Sequence, residues 1–458
     1  MIVFIIILLV AYIAIASYGL KKNTLNESRF FLISVIPLAL SVMLLTDILS
    51  MPDGVTHFRY CYSLSNNLLG NDSSDEWMMR NDDWEYYDSI LSGGAKSHID
   101  EFTIGVQDDS MVDPGDDYDY MKYYSAFGYL PQVIGITIAR LLGLSSVIVM
   151  FLPRVIMIVV YLLLCYRAIV RIPFGKKAVM LLSLMPFTLS LASSFSYDAM
   201  VYLVTLNFVS CIFTLRYRMS KLVCAEALIF AFLLGAVKGG GYLILLPLVF
   251  LLIPTKDKPS DPRSKIWILI GIVLCGITSV VLFDLVIPSG QEFFQLGDQY
   301  DYTYPISHVW THPFEYFWMV IVTYAHNTYE TIFLFGETTT GWINFVLMIT
   351  GLVYSLLENA VISIRRFEKI IIGVVIAVIL ISIPMMLVGM TKRGEVIIYG
   401  LRARYYLPMI PVIFMLACVI RCPKWLAIHE KTSQKLNDNL LYYICCGFSV
   451  IGVMLRMV

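Results

Sequence analysis

Apolar runs of about twenty residues recur from one end of this chain to the other, and they decide what it can fold into. A helix needs roughly 20 mostly apolar residues to cross a bilayer. In lipid every backbone N–H and C=O must be satisfied within the protein, and a helix does this within one segment. Composition agrees. Of 458 residues, 58% are hydrophobic and 15% charged, with a mean hydropathy of +0.75, against about 45–50% and 25% in a soluble domain. A soluble enzyme, a nucleic-acid binder and a disordered protein are excluded. With 33 basic and 34 acidic residues the net charge is −1, which suggests no polyanionic partner such as nucleic acid. The expected fold class is an all-α polytopic membrane protein.

Lysine and arginine orient the spans, because cytoplasmic loops are enriched in both. Six short clusters carry them: Lys21/Lys22/Arg29, Arg167/Arg171/Lys176/Lys177, Arg216/Arg218/Lys221, Lys256/Lys258/Arg263/Lys265, Arg365/Arg366/Lys369 and Arg421/Lys424. Placing all six inside requires an even number of crossings between neighbours. Spans near 2–19, 30–49, 146–169, 178–195, 198–216, 266–287, 341–358, 369–390, 404–420 and 440–457, with two short crossings in 222–254, meet that condition. The total is about twelve. Lys238-Gly239-Gly240-Gly241 falls at the outer bend of the double crossing, where glycines suit a broken backbone.

Two outer loops remain, 51–125 and 288–340. Between Met51 and Ser125 there are 16 acids against Arg59, Arg80, Lys96 and Lys122, which reads as a polar extramembrane loop. The apolar stretches 126–142 and 314–335 break the parity and end in Tyr or Trp, as interfacial helices do. The apolar start, with Ala14-Ile15-Ala16, lacks a positive leading region and reads as a retained helix. Seven of nine cysteines lie in apolar runs and only Cys61 lies in the acidic loop, a pattern of neither disulfides nor zinc.

Charge at a membrane boundary is costly, and its default reading is functional. Asp53 and His57 emerge just past the second span, where a carboxylate is placed to take a proton from a hydroxyl; the competing reading is an ordinary Pro52-Asp53-Gly54 turn. Arg402 and Arg404 sit on the outer side, against the positive-inside pattern. They either clamp a phosphate, as bidentate arginines do, or snorkel to headgroups. Lys238 has the same two readings. Ser194, Ser196 and Asp198 open the span 198–216 as a helix cap, and a cap of this kind can also line a polar cavity. Asp113, Asp116, Asp117 and Asp119 are close enough to hold a divalent cation by oxygen, but fit no calcium loop. His308 and His312 are an i, i+4 pair followed at once by Pro313, with no third ligand. No Walker loop, GxGxxG or HExxH is present, and no cofactor is called for with certainty.

Taken in order, Pro52-Asp53…His57-Phe58, Tyr129-Leu130-Pro131, Ser194…Ser196…Asp198, Lys238 and Gly400…Arg404-Tyr405…Pro408 resemble a bacterial family of polytopic membrane proteins grouped with the GT-C glycosyltransferases. The resemblance covers roughly residues 45–420. It implies a GT-C-like core over 30–420, an extra N-terminal helix with its basic inner loop in 1–29, and a last inner loop and span in 421–458. It further implies transfer of a sugar from a polyprenyl-phosphate donor to a glycan or cell-wall polymer, at the extracytoplasmic face of a bacterial plasma membrane. In that reading Asp53 is the base beside His57. Arg404, Arg402 and Lys238 hold the donor phosphate, and Ser194, Ser196, Asp198 and Tyr405 line the cavity. One position departs: the family carries an acid after the Asp, and this chain has Gly54. A transporter or flippase of lipid-linked or polar solutes, and a non-catalytic partner in cell-surface glycan assembly, are the alternatives.

Overall fold

A computed structural model describes residues 2–22, 24–70, 77–92, 104–115, 125–253, 262–286, 303–327, 340–358, 365–419 and 433–456. Six helices in it are long and apolar enough to span a bilayer, and five shorter apolar helices accompany them. The chain is an all-α membrane protein.

The first two spans are α1 (Ile2–Lys21) and α2 (Glu27–Leu45). The acidic segment that follows does not stay a solvated loop. It folds into α3 (Gly54–Leu69), α4 (Asn81–Leu91) and a two-residue antiparallel pair, β1 (Met79–Arg80) with β2 (Met111–Val112). Its core is polar and matched: buried Arg80 holds buried Asp83 at 2.8 Å, and the Tyr62 hydroxyl donates to the same carboxylate at 2.7 Å. Aromatic spacing supplies the apolar remainder, with Phe58 against Tyr87 and Phe195. Of the proposed cation group, Asp113 accepts from the Gly115 N–H, while Asp116, Asp117 and Asp119 lie outside the described residues.

Next come α5 (Leu130–Leu141), α6 (Ser146–Arg171), α7 (Lys176–Ser183), α8 (Pro186–Ala192) and α9 (Asp198–Tyr217). The single span expected over 178–195 is two short helices. Pro186 has no N–H to give and drives Met185 to extended backbone (φ −62°, ψ 140°). The groups freed at the break find partners from neighbours: the Tyr161 hydroxyl donates to Ser183 O at 2.7 Å, and the Phe187 N–H donates to Asn344 Oδ1 at 3.1 Å.

Helix α9 is the central element, with 94% of its spanning window buried. Polar residues on it reach neighbouring backbone: Asn207 donates to Leu164 O, and Thr214 to Arg171 O. Helix α1, by contrast, has only 28% of its window buried. It belongs to the lipid-facing edge.

The expected double crossing begins with α10 (Lys221–Ala236), but its second half is a 3-10 helix, Val237–Leu252. Left-handed backbone at Lys238 and Gly240 breaks its start, and the apolar stretch Gly240–Leu252, thirteen residues at about 2.0 Å each, reaches about 26 Å, further than the same length of α-helix. The remaining helices are α11 (Pro262–Val286), α12 (His308–Thr311), α13 (Pro313–Asn327), α14 (Gly341–Leu357), α15 (Arg366–Leu387), α16 (Ile410–Val419) and α17 (Ser433–Met454). The span expected from 404 starts later than its hydropathy suggests: Ala403–Tyr405 and Leu407–Met409 are 3-10 turns around Pro408.

Candidate functional site

Only two non-glycine residues among those described have positive φ, and both are candidate site residues: Asp53 (φ 59°) and Lys238 (φ 50°). Left-handed backbone is unfavourable for L-residues and persists where the surroundings over-determine it, often at functional sites. Asp53 stands at the N-terminus of α3, yet its side chain makes no cap bond. Its carboxylate turns instead to Arg404, with Oδ2 at 2.7 Å from Nη2. The turn reading and the site reading are therefore both true of Asp53.

The departure at Gly54 has a steric cause. A Cβ there would stand 2.4 Å from the Leu49 carbonyl oxygen, so this backbone has no room for an acid at that position. Asp53 is the carboxylate the turn delivers.

Asp198 ties the site together. Buried at the start of α9, it takes Lys238 Nζ on Oδ1 at 2.9 Å, and its Oδ2 lies 3.1 Å from Arg404 Nε. The turn before it is fixed by its own hydroxyls: Ser196 Oγ accepts from the Asp198 N–H and Ser194 Oγ from the Ser196 N–H, each at 3.2 Å. Gln132 on α5 donates to the Ser194 and Ser196 carbonyls. Two carboxylates and two cations thus balance, with Arg402 adding a further positive charge at the rim.

Lys238 is also held by rings. Its ammonium lies 4.3 Å from the Tyr405 centroid and 5.0 Å from that of Tyr197, within cation–π range. The Tyr242 hydroxyl donates to Tyr405 O at 2.9 Å and closes the cage.

These groups open on a cavity of about 360 Å³. Asp53, His57, Lys238, Arg402, Arg404 and Tyr405 line it, together with Thr56, Tyr197, Tyr242 and Tyr399. Apolar side chains make up much of the rest, chiefly from α15: Ile379, Ile383, Met386 and Leu387, with Met390, Ile244 and the polar Ser382 beside them. Ser194, Ser196 and Asp198, expected on the cavity surface, are instead behind it, because Tyr197 takes the wall position between them.

His57 is 4% exposed. Its Nδ1 is 2.8 Å from the Tyr129 hydroxyl, and its ring meets Tyr197 edge-on at 5.2 Å. Burial pushes its pKa down to about 4, with the positive charge of Arg404 acting in the same direction and Asp198 opposing. At neutral pH the ring is uncharged. Nε2 has no hydrogen-bond partner among the described residues.

No group of three metal-ligating side chains occurs among the described residues. The two site carboxylates already face two fixed cations, so a divalent ion there would meet like charge; these residues do not fit one. His308 stacks on His312 at 4.6 Å and lies 3.4 Å from Glu315.

Sequence reasoning missed Tyr197, Tyr242 and Tyr399, although the first adjoins Asp198 and the second lies one helical turn beyond Lys238. It also missed the apolar wall, which has no signal of its own inside a spanning segment.

Fold and site together define a polytopic membrane protein with a buried charge cluster opening on a half-polar, half-apolar cavity. Residues 110–413 match the family model described as "Predicted membrane protein (DUF2142)", and the chain belongs to that family. The match contains Asp198, Lys238 and Arg404; Asp53 and His57 precede it. No curated protein and no solved structure matches the chain.

Proposed function

We propose that the protein is a GT-C-like glycosyltransferase of about twelve spans in a bacterial plasma membrane. It moves a sugar from a polyprenyl-phosphate donor to a glycan or cell-wall polymer on the extracytoplasmic side. The observation that carries this reading is the cavity's mixed lining: Lys238, Arg402 and Arg404 together with Ile379, Ile383, Met386 and Leu387 of a spanning helix. An anionic headgroup on a long apolar chain matches both kinds of group at once. A water-soluble phosphate would leave the apolar side chains bare.

The donor phosphate exchanges with Asp53 for Arg404, a swap of one oxyanion for another at a guanidinium that presents a fork of N–H donors. Asp53, with its side chain 61% exposed, then stands free beside the sugar. The acceptor hydroxyl loses its proton to Asp53 as its oxygen attacks the anomeric carbon. The bond from that carbon to the phosphate oxygen breaks, and the electron pair leaves with the polyprenyl phosphate. Arg404 and Lys238 stabilise the charge that gathers there. A single displacement inverts the sugar carbon. Neutral His57 backs the cavity, its Nδ1 held by the Tyr129 hydroxyl.

A flippase would need to pass a headgroup to the opposite end of the bundle. There Arg216 lies eighteen residues along α9 from Asp198, about 27 Å, and is locked to Glu368 at 2.6 Å, which favours the transferase. The test is radiolabelled sugar transfer from a polyprenyl-phosphate hexose, with purified protein in nanodiscs and a soluble glycan acceptor. Labelled glycan of inverted configuration is the expected product. Donor that only changes leaflet, with no glycan labelled across a panel of sugars, overturns the reading.

A further inference from the structure

Helix α13 (Pro313–Asn327) has two apolar faces, and among the described residues only one of them is covered. Tyr316, Met319, Val320, Thr323 and Tyr324 recur at the spacing of one helix face and point inward. Phe314, Phe317, Trp318 and Ile321 form the other face, and Phe314 is 90% exposed.

The inward face does more than pack. Pro384 interrupts α15 in the middle of the cavity's apolar wall, between Ile383 and Met386. Proline has no N–H, so the carbonyl four residues earlier, Leu380 O, loses its helical donor. In a membrane that group must be satisfied by something else. The Tyr324 hydroxyl donates to it at 2.6 Å, and the Tyr316 hydroxyl donates to the next carbonyl, Ile381 O, at 2.5 Å. Since the Tyr324 proton is committed to Leu380, the 2.7 Å contact between the Tyr324 and Tyr406 hydroxyls has Tyr406 as donor.

Buried Tyr406 lies behind the polar wall, next to Tyr405, which lines it, and two residues from Arg404. The same segment also grips residues beside that wall. Thr323 Oγ1 accepts from the Ile398 N–H at 2.9 Å, the Tyr304 hydroxyl accepts from the Gly394 N–H, and Tyr304 N–H donates to Thr391 O. The stretch Thr303–Tyr324 is therefore hydrogen-bonded to residues adjoining both linings: Leu380 and Ile381 beside the apolar side chains of α15, and Thr391, Gly394, Ile398 and Tyr406 beside Tyr399–Tyr405.

We propose that α13 is a lipid-seated brace: Tyr316, Tyr324 and Thr323 are positioning residues that fix the Pro384 break against the Arg404 loop, and the Phe314–Trp318 face rests on the bilayer. Lipid is the occupant because this face continues the exposed stripe of α15, where Val374, Val378 and Ile381 are also uncovered. Trp at such a boundary sits at headgroup level. The brace sets the width of the apolar wall, and its consequence for donor affinity rests on the transferase reading.

The experiment uses the full chain in nanodiscs, with Met386→Cys as a reporter in the apolar wall and the parent chain subtracted as background. Labelling by a membrane-impermeant maleimide reads how open the wall is. Tyr316→Phe with Tyr324→Phe should raise the labelling rate several-fold, and Thr323→Val should raise it less. Adding Pro384→Ala to the double variant should return the rate towards that of the parent, because residue 384 then supplies its own N–H to Leu380 O. Loss of packing alone would not be rescued this way. With a polyprenyl-phosphate sugar as donor, the double variant should raise KM about tenfold, as for one to two lost hydrogen bonds, with kcat within about twofold. Equal labelling in all variants overturns the brace, whether or not sugar is transferred. Absence of transfer with altered labelling overturns only the transferase reading. Lipids brominated near the headgroup should quench a component of the fluorescence that Trp318→Phe removes. If they leave it unquenched, the lipid seat is wrong.

Discussion

The two ends of the bundle carry similar charges used in different ways. At the end opposite the cavity, Arg167 and Arg171 share Glu226, with Arg171 at 3.0 Å, and Arg216 pairs with Glu368 at 2.6 Å. These pairs join α6 to α10 and α9 to α15, none of their residues has positive φ, and none lines the cavity. At the cavity end the pairs involve the two strained residues, and one partner, Asp53, is largely exposed. Buried charge in a membrane protein is therefore no sufficient mark of a site. Strain, a cavity and a partner that water or substrate can displace are what set one cluster apart.

The sharpest way to break this comparison is Asp53→Asn. Asn keeps the shape and tolerates left-handed backbone, but cannot take the proton. Transfer should fall by about 10²–10⁴ while the unfolding temperature barely changes. Normal turnover in an assay of labelled sugar transfer would return Asp53 to the role of a simple turn residue.

Glu368→Gln should behave in the opposite sense. It leaves Arg216 buried without its anion, which typically costs about 3–5 kcal/mol of stability, measured by thermal unfolding in detergent. Activity per folded molecule should be unaltered. A large loss of specific activity would mean that the two ends are coupled.

His57 provides a pH test. Its folded pKa, about 4, lies below the ordinary 6.5, so the unfolded chain binds the extra proton first. The stability that goes with a neutral, buried His57 is complete above pH 6.5 and is lost as pH falls towards 4. Up to about 3 kcal/mol is at stake. His57→Gln should flatten the decline of unfolding temperature across that window; an unchanged slope would assign the decline to other groups.

Arg404→Ala should weaken binding of a polyprenyl-phosphate donor by about 10–100-fold, the usual worth of a hydrogen bond to a charged group. Isothermal titration in nanodiscs would detect it. Unaltered affinity would shift the phosphate to Lys238 and Arg402. The smallest effect on stability is expected from Asp53→Gly, which loses transfer as Asp53→Asn does. It relieves left-handed strain and gives up one ion pair of buried Arg404, which keeps Asp198 as partner, so stability should rise by under about 1 kcal/mol. A fall in stability would show that the strain is not where the backbone angles put it.

Much of this was legible in the residues themselves. Span length and hydropathy are local properties, so the membrane class and most helix positions follow from reading along the chain. Isolated charges in apolar sequence stand out for the same reason, which is how Asp53, Lys238 and Arg404 were recognised one by one. The break at Pro186 was written in the sequence as well, and hydropathy averaged over it.

Tertiary structure alone decided the rest. Asp53 and Arg404 are 351 residues apart, and an ion pair leaves no pattern between its partners. Asp198 looked like a cap until Lys238 and Arg404 converged on it. The acidic segment folded because Arg80 and Tyr62 bury Asp83, a match that composition does not reveal. Ile383 and Met386 face a cavity, and Val374 and Val378 are exposed on another face of the same helix; their chemistry is the same. An apolar side chain is at home in lipid and in a lipid-binding cavity alike, so only packing could tell them apart.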